Sequence, residues 1–262
     1  MKGELKMEKV DVRGVSFDNV TKDEALSLIA DRLEKGLFTA VFTPNSEIVQ
    51  ACVEDKSLLD TISFAHVTLP DGIGVVKAAS ILGTPLKEKV AGVEIGEALF
   101  KRLDSERHSF FFFGGKPAEG EAISVAEEAA EKMRLKYGCN IAGVRHGYVQ
   151  KSGEENEGTI EMINSSGADV LYVCLGFPAQ EKWVAENARR LENVKLVLTL
   201  GGSLDIYAGR AKRAPSVFIK AGLEWLWRLI CQPSRLIRMM KLPKFYIGTL
   251  IYKKKKRKDA GG

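Results

Sequence analysis

Residues 170–181 read Val-Leu-Tyr-Val-Cys-Leu-Gly-Phe-Pro-Ala-Gln-Glu, and this stretch indicates the fold class. Val170–Cys174 is an apolar run without polar alternation, which is typical of a strand covered on both faces. Gly176 and Pro178 then predict a tight turn and the first turn of a helix. A buried strand, a turn and a helix are the repeating unit of a parallel sheet.

The same unit recurs between residues 39 and 208 and predicts an α/β fold, a parallel sheet with helices on both faces. Strands are expected at Thr39–Phe42, His66–Leu69, Ser109–Phe113, Ile141–Val144, Val170–Cys174 and Leu196–Leu200. Helices are expected to begin near Ser46, Gly72, Pro117, Gly153 and Pro178, the third of them continuing to Lys136.

The repeating pattern stops near Ala208, so we predict a body at residues 1–208 and a mainly helical appendage at 209–262, with an aromatic helix at Val217–Ile230. From Arg210 onward lie 15 of the 39 Lys and Arg but 2 of the 34 Asp and Glu, so this segment carries +13 and the rest −8. Such asymmetry, with the run Lys253–Lys258, indicates an anionic polymer or a membrane surface as partner.

Composition argues against several classes of protein. The N-terminus lacks the basic and apolar regions of a secretory signal, and no stretch reaches the roughly 18 apolar residues of a spanning helix. The 4 cysteines form no CxxC pair, which fits a reduced cytoplasmic protein, and the 3 histidines are far apart, which predicts no metal centre.

The residues that follow the predicted strands are small and polar, and ligands of open α/β sheets bind at this edge. The segments are Thr43–Glu47, Pro70–Gly74, Gly114–Pro117, Gly176–Glu181 and Gly201–Asp205. Their glycines either let a diphosphate approach the helix N-termini or only form tight turns. The sequence has neither GxGxxG nor GxxxxGK[ST], and it has no Asp-x-Asp pair to hold magnesium.

Asp71 has two interpretations. Its carboxylate either faces the crevice and takes a proton from an acceptor hydroxyl, or it caps the helix that begins near Gly72. Asn45 is likewise a helix cap or a site residue, whereas Thr43 ends its strand facing the crevice. These residues alone leave the alternatives open.

A set of short motifs, taken in order, is more specific than any single loop. They are Thr43-Pro-Asn45, Pro70-Asp-Gly72, Lys89-Val-Ala-Gly92, Phe112-Phe-Gly-Gly115, Leu175-Gly-x-Pro-x-Gln-Glu-x-Trp183, Gly201-Gly202, Arg213-Ala-Pro215 and Gly222-Leu-Glu-Trp-Leu-x-Arg-Leu229. From about residue 10 to residue 240 the chain resembles the WecG/TagA/CpsF glycosyltransferase family.

The resemblance implies a Rossmann-like core and an inverting transferase without metal or cofactor. The implied acceptor is undecaprenyl-diphosphate-linked N-acetylglucosamine, and in the best-described branch UDP-N-acetylmannosamine is the donor for the linkage unit of wall teichoic acid. N-acetylmannosaminuronic acid, glucose or galactose remain alternative donor sugars. We expect a cytoplasmic protein, peripheral on the inner face of the cell membrane and without a specific nucleic-acid partner; homo-oligomer formation is left open.

By the same resemblance Asp71 is the catalytic base, and Thr43, also a catalytic residue, lines the donor site together with Asn45. The implied substrate-binding residues in the body are Asn45, Lys89, Gly114, Gly115, Gln180, Glu181, Gly201 and Gly202. Appendage arginines with the family's spacing would reach the donor diphosphate when the appendage folds over the site; they are Arg228, Arg235 and Arg238.

Two positions depart from the family's pattern. Lys89 stands where arginine is common and offers a point charge without a bidentate fork, and Ala179 replaces a basic residue, which leaves the donor open. Two alternative functions have weaker support. A nucleotide-dependent oxidoreductase would need a GxGxxG motif, which the sequence lacks. A nucleic-acid-binding module would need a recognisable reading element besides the basic tail.

Overall fold

The computed structural model describes residues 7–120, 122–220, 222–231 and 241–259. The chain begins with an antiparallel hairpin that the sequence analysis did not predict, β1 (Lys9–Val12) and β2 (Val15–Asp18). Its turn has positive φ at both central residues, 56° at Arg13 and 96° at Gly14, as two-residue hairpin turns require.

Within the described residues, six strands form one parallel sheet of Rossmann-like architecture. In spatial order they are β4 (Val67–Thr68), β3 (Thr39–Phe42), β8 (Leu196–Thr199), β7 (Val170–Cys174), β5 (Ser109–Gly114) and β6 (Asn140–Arg145). Side chains alternate between two separate cores: Phe110 and Phe112 point to one face, Phe111 and Phe113 to the other. This double burial explains the uninterrupted apolar runs.

Helices cover both faces. One face packs against α1 (Lys22–Glu34), α5 (Gly92–Arg102), α6 (Val125–Tyr137) and α9 (Ser203–Tyr207). The other packs against the hairpin, α2 (Ser46–Glu54), α3 (Lys56–Ser63), α4 (Ile73–Leu82), α7 (Glu154–Ser165) and α8 (Ala179–Asn187). The remaining α-helices in the described part of the chain are α10 (Ser216–Lys220), α11 (Glu224–Cys231) and α12 (Lys241–Asp259).

The predicted parallel strands are confirmed, and two helix predictions are wrong. The helix expected from Pro117 begins at Val125, because Ser124 and Glu127 form a capping box there. The single helix expected at Val217–Ile230 is two helices, α10 and α11, which are separated at Gly222 with φ of 69°. Glycine in that conformation ends a helix readily.

Loops leave the sheet in opposite directions at two places. After β3 the chain enters α2 on one face, and after the neighbouring β8 it enters α9 on the other. The same reversal separates β5, which leads to α6, from β7, which leads to α8. Such switch points open crevices at the carboxyl ends of the strands.

Helix α12 returns to the body and packs against α2 and α4. Phe245 and Thr249, one turn apart, are fully buried there. The Arg13 guanidinium donates hydrogen bonds to the Phe245 carbonyl at 3.1 Å and to Gln50 Oε1 at 2.7 Å. A Cβ at Gly248 would lie 2.6 Å from this guanidinium, so glycine permits the contact.

His108 ties three elements together at the opposite, amino-terminal edge of the sheet. Its Nδ1 lies 2.6 Å from Asp169 Oδ2 and its Nε2 lies 3.3 Å from Glu34 Oε1. Burial by itself would lower the pKa of His108, but these two carboxylates outweigh burial and raise the pKa. The protonated imidazole therefore stabilises the fold.

We expect the His108→Gln variant to lose this pH-dependent stability. The contribution of His108 is fully present below its ordinary pKa of about 6.5 and disappears as pH rises through the raised folded value. Urea unfolding at several pH values should show wild type losing stability relative to the variant across this interval. The Glu106→Gln variant, at an exposed neighbouring position, serves as control; parallel pH curves for wild type and His108→Gln would contradict the assignment.

Candidate active site

Asp71 lies in the loop between β4 and α4, at the crevice beside β3. Helix α4 begins at Ile73, and its N-cap is Gly72, which makes no side-chain capping hydrogen bond. The N-cap position of α4 is therefore occupied by Gly72 and not by Asp71. Its backbone N–H donates to the Pro44 carbonyl at 3.2 Å, which joins the loops after the two neighbouring strands.

Asn45 is the N-cap of α2, since its Oδ1 accepts hydrogen bonds from the N–H groups of Glu47 at 2.9 Å and Ile48 at 3.1 Å. These two hydrogen bonds fix the plane of the Asn45 side-chain amide at the crevice. The Thr43 hydroxyl donates to the Thr199 carbonyl at 3.2 Å and so joins the ends of β3 and β8. A Cβ at Gly92 would lie 2.9 Å from Thr43 Oγ1, so the first turn of α5 packs directly against Thr43.

Three helices, α2, α4 and α5, begin near this crevice. The starts of α2 and α4 touch, because a Cβ at Gly74 would overlap the Ser46 hydroxyl. The first turns of helices carry unpaired N–H groups and a partial positive charge. Their convergence favours a ligand with negative charge, such as a diphosphate.

The two glycine pairs, Gly114–Gly115 and Gly201–Gly202, have different structural roles. A Cβ at Gly114 would overlap the Cys174 carbonyl, and one at Gly115 would lie 2.7 Å from the Val125 side chain, so both allow close backbone packing. Gly201 has φ of 55°, and no described atom lies within 4 Å of a Cβ built there. Gly201 and Gly202 therefore form a turn at the open edge of the sheet.

Gln180 and Glu181 are buried, 4% and 1% exposed respectively. Gln180 Oε1 accepts hydrogen bonds from the N–H groups of Gly176 at 3.1 Å and Gly201 at 3.0 Å. Gln180 Nε2 donates to Glu181 Oε1 at 2.7 Å. The pair thus holds the loops after β7 and β8 together. Burial raises the pKa of the Glu181 carboxyl, and the hydrogen bond from Gln180 opposes this only in part.

Basic and acidic groups hold the appendage beside the crevice. Lys89 forms an ion pair with Glu224 in the first turn of α11, and both side chains are mostly buried. Arg213 forms a second ion pair with Glu94 in the first turn of α5. A Cβ at Gly222 would lie 3.2 Å from Ile73, which brings the appendage against the start of α4.

The appendage arginines are only partly described. Arg228 lies within α11. Arg235 and Arg238 lie outside the described residues, so their predicted contacts with a donor diphosphate stay predictions.

Three further polar residues lie at the end of β6 and in the loop after it, Arg145, His146 and Lys151. Arg145 Nε and His146 Nδ1 are buried and have no hydrogen-bond partner among the described residues. Lys151 Nζ donates to the Gly147 carbonyl at 2.6 Å, and burial lowers its pKa. Arg145 and His146 directly follow the predicted strand Ile141–Val144, so their position in the sequence is the signal that identifies them.

Comparison with known proteins agrees with this arrangement. A model described as "Glycosyl transferase WecG/TagA/CpsF family" matches residues 10–259. An N-acetylglucosaminyldiphosphoundecaprenol N-acetyl-beta-D-mannosaminyltransferase from Bacillus spizizenii is 35% identical over 217 residues, 82% of this chain and 79% of that protein. An enzyme of the same name from Staphylococcus aureus (strain MRSA252) is 31% identical over 254 residues, 95% of each chain. The chain therefore belongs to the WecG/TagA/CpsF family of glycosyltransferases.

Proposed function

We propose that this glycosyltransferase moves N-acetylmannosamine from UDP-N-acetylmannosamine to undecaprenyl-diphosphate-linked N-acetylglucosamine, with inversion at the anomeric carbon. The names of the two relatives support this acceptor and this sugar. The observation that carries the proposal is the location of Asp71, in the loop directly before α4 and joined to the loop after β3, where the N-termini of α2, α4 and α5 converge. The linkage unit of wall teichoic acid, or a related surface polysaccharide, is the corresponding product.

The reaction is a single displacement. Asp71 takes the proton of the acceptor's 4-hydroxyl while that oxygen forms a bond to the anomeric carbon. The bond from that carbon to the β-phosphate oxygen breaks on the opposite face, and UDP leaves with the electron pair. Thr43 precedes Pro44, whose carbonyl accepts the Asp71 N–H, and Asn45 presents its amide nitrogen because its oxygen already caps α2.

Fixed dipoles and cations stabilise the leaving diphosphate. The N-termini of α2, α4 and α5 supply N–H groups on one side, and the turn at Gly201 and Gly202 leaves open space for a ligand at the edge of the sheet. We assign Arg228, Arg235 and Arg238 to the same charge once the appendage covers the site. Lys89 contributes by docking the appendage through Glu224. Since Ala179 provides no charge, other UDP-sugars stay alternatives as donor.

Residues 209–262 form the segment that meets the membrane, and residues 1–208 form the catalytic body. Large apolar side chains of this segment are exposed beside the lysine run. They are Val217, Leu223, Trp225, Ile230, Ile247, Leu250 and Ile251. This composition suits an interfacial segment on anionic lipid, at the inner face of the cell membrane. No described helix is long and apolar enough to cross a bilayer.

The Asp71→Asn variant should bind donor and turn over about two to four orders of magnitude more slowly, because it lacks the base. The assay is transfer of radiolabelled sugar from UDP-N-acetylmannosamine to a lipid-diphosphate N-acetylglucosamine in EDTA. The Asp60→Asn variant, at an exposed position on α3, is the matched control and should keep wild-type activity. Near-normal turnover by Asp71→Asn would refute its role as base.

The ion pair between Lys89 and Glu224 should show a coupling of about 1 kcal/mol in a double-mutant cycle with Lys89→Met and Glu224→Gln, measured by urea unfolding. Both side chains are less than a quarter exposed, so solvent screens them less than a surface pair. The exposed pair of Lys35 and Asp31 on α1 is the control and should give a smaller value. Equal coupling in both pairs would show that Lys89 does not hold the appendage.

Binding to anionic vesicles should weaken about tenfold or more when Ile247, Leu250 and Ile251 are all replaced by serine, because each loses apolar contact with lipid. Point variants are preferable to removal of α12, since Phe245 and Thr249 are buried in the body. The Leu135→Ser variant removes an exposed apolar side chain from α6 and should bind as wild type does. Unchanged co-sedimentation of the triple variant at low salt would exclude this surface.

A further inference from the structure

Two buried polar atoms near the end of β8 have no hydrogen-bond partner among the described residues, Glu181 Oε2 and Thr199 Oγ1. The two side chains are 1% and 0% exposed. Unpaired polar atoms in the interior are costly, so their occurrence on neighbouring residues calls for a physical cause.

Glu181 also lacks a compensating charge. No described Lys, Arg or His forms an ion pair with it. Burial raises its pKa, and the hydrogen bond from the neighbouring Gln180 amide opposes this rise only in part; the Thr199 hydroxyl lies close enough to act on the same carboxyl. The titratable group that faces it from α2 is Cys52, whose own pKa is raised to about 12 by burial and then by Glu181. Glu181 therefore has no cation to stabilise its charged form.

We propose that Glu181 is a protonated, neutral positioning residue, whose Oε2–H donates to Thr199 Oγ1 while its Oε1 accepts from Gln180 Nε2. One hydrogen bond between them then satisfies both unpaired atoms, and with the proton on Glu181 it does so without a buried charge. Through Gln180 Oε1 the same residue fixes the N–H groups of Gly176 and Gly201, which belong to the loops after two neighbouring strands.

The link to catalysis rests on the proposed function, in which these loops border the donor site. Thr199 connects the network to the other side of the crevice, since its carbonyl accepts the hydroxyl of Thr43 at 3.2 Å. Ionisation of Glu181 would place an unpaired charge in the interior and shift both loops. Transfer should therefore fall as pH rises through the folded pKa of Glu181, which acts on the sugar only through these loops because it is 1% exposed.

The first test needs no substrate. A raised folded pKa gives stability that is present below the ordinary Glu pKa of about 4.3 and is lost as pH rises through the folded value. The Tm of Glu181→Gln should therefore gain on that of wild type as pH rises, because the amide does not titrate. The Glu186→Gln variant, exposed on the same helix, should follow wild type at every pH.

An infrared difference spectrum between wild type and Glu181→Gln should contain the carbonyl band of a protonated carboxylic acid. Absence of that band at neutral pH, or a Tm difference independent of pH, would overturn the proposal. Both measurements stand even if wild type transfers no N-acetylmannosamine, so failure of the proposed function is distinguishable from failure of this inference.

Activity provides the second test. Transfer by Glu181→Gln should lose the decline with rising pH that wild type shows, because glutamine makes the same two hydrogen bonds and does not titrate. Glu181→Ala should lower transfer about tenfold or more, mainly through a higher KM for donor, because Gln180 loses its partner. Equal losses in the glutamine and alanine variants would show that the charged carboxylate is required, and would contradict the proposal.

Discussion

The parallel sheet is covered by apolar side chains on both faces, and the rest of the structure depends on this constraint. Polar groups cannot lie against either face without a partner, so they collect where the strands end. At two places the loops after neighbouring strands leave toward opposite faces, which separates them and opens a crevice. Asp71 and Thr43 border the first crevice, and Gly114 and Gly176 border the second.

The basic appendage and the acidic body carry opposite net charge, and ion pairs between them hold the appendage against the body. Ion pairs join Arg213 to the start of α5 and Lys244 to Glu54 of α2. Burial of the apolar Phe245 side chain stabilises the docked appendage in a way that salt does not screen. Arg13 binds the same turn of α12. The appendage thus combines a docked face with exposed apolar residues, which suits a segment between a body and a lipid surface.

Helix α8 is unusual because its buried side includes several polar residues. The Trp183 indole donates to Asn156 Oδ1 at 2.7 Å, and Asn156 in turn donates to Asn187 Oδ1 at 3.1 Å. Satisfied buried networks hold an element in one position, since any shift leaves a polar group unpaired. Gln180, at the start of this helix, is therefore fixed in the position from which it binds the N–H groups of Gly176 and Gly201, before a ligand binds.

Local patterns determined much of the fold, and tertiary contacts decided the chemistry of the site. Double burial leaves an apolar run in the sequence, so Thr39–Phe42 and Val170–Cys174 could be predicted with their observed bounds. The start of α6 is also encoded locally, in the capping box at Ser124. Pro117 is an earlier helix-start signal in the same loop, so the predicted helix began too early.

Other features have no local signature. Whether Asp71 caps α4 depends on how its loop meets Pro44, and the partner of Lys89 lies 135 residues away in the chain. Glu181 is a polar residue at a helix start by sequence alone; its burial arises because α8 packs across β7 and β8. Sequence therefore determined which residues reach the edge of the sheet, whereas packing between distant segments decided their partners, solvation and charge.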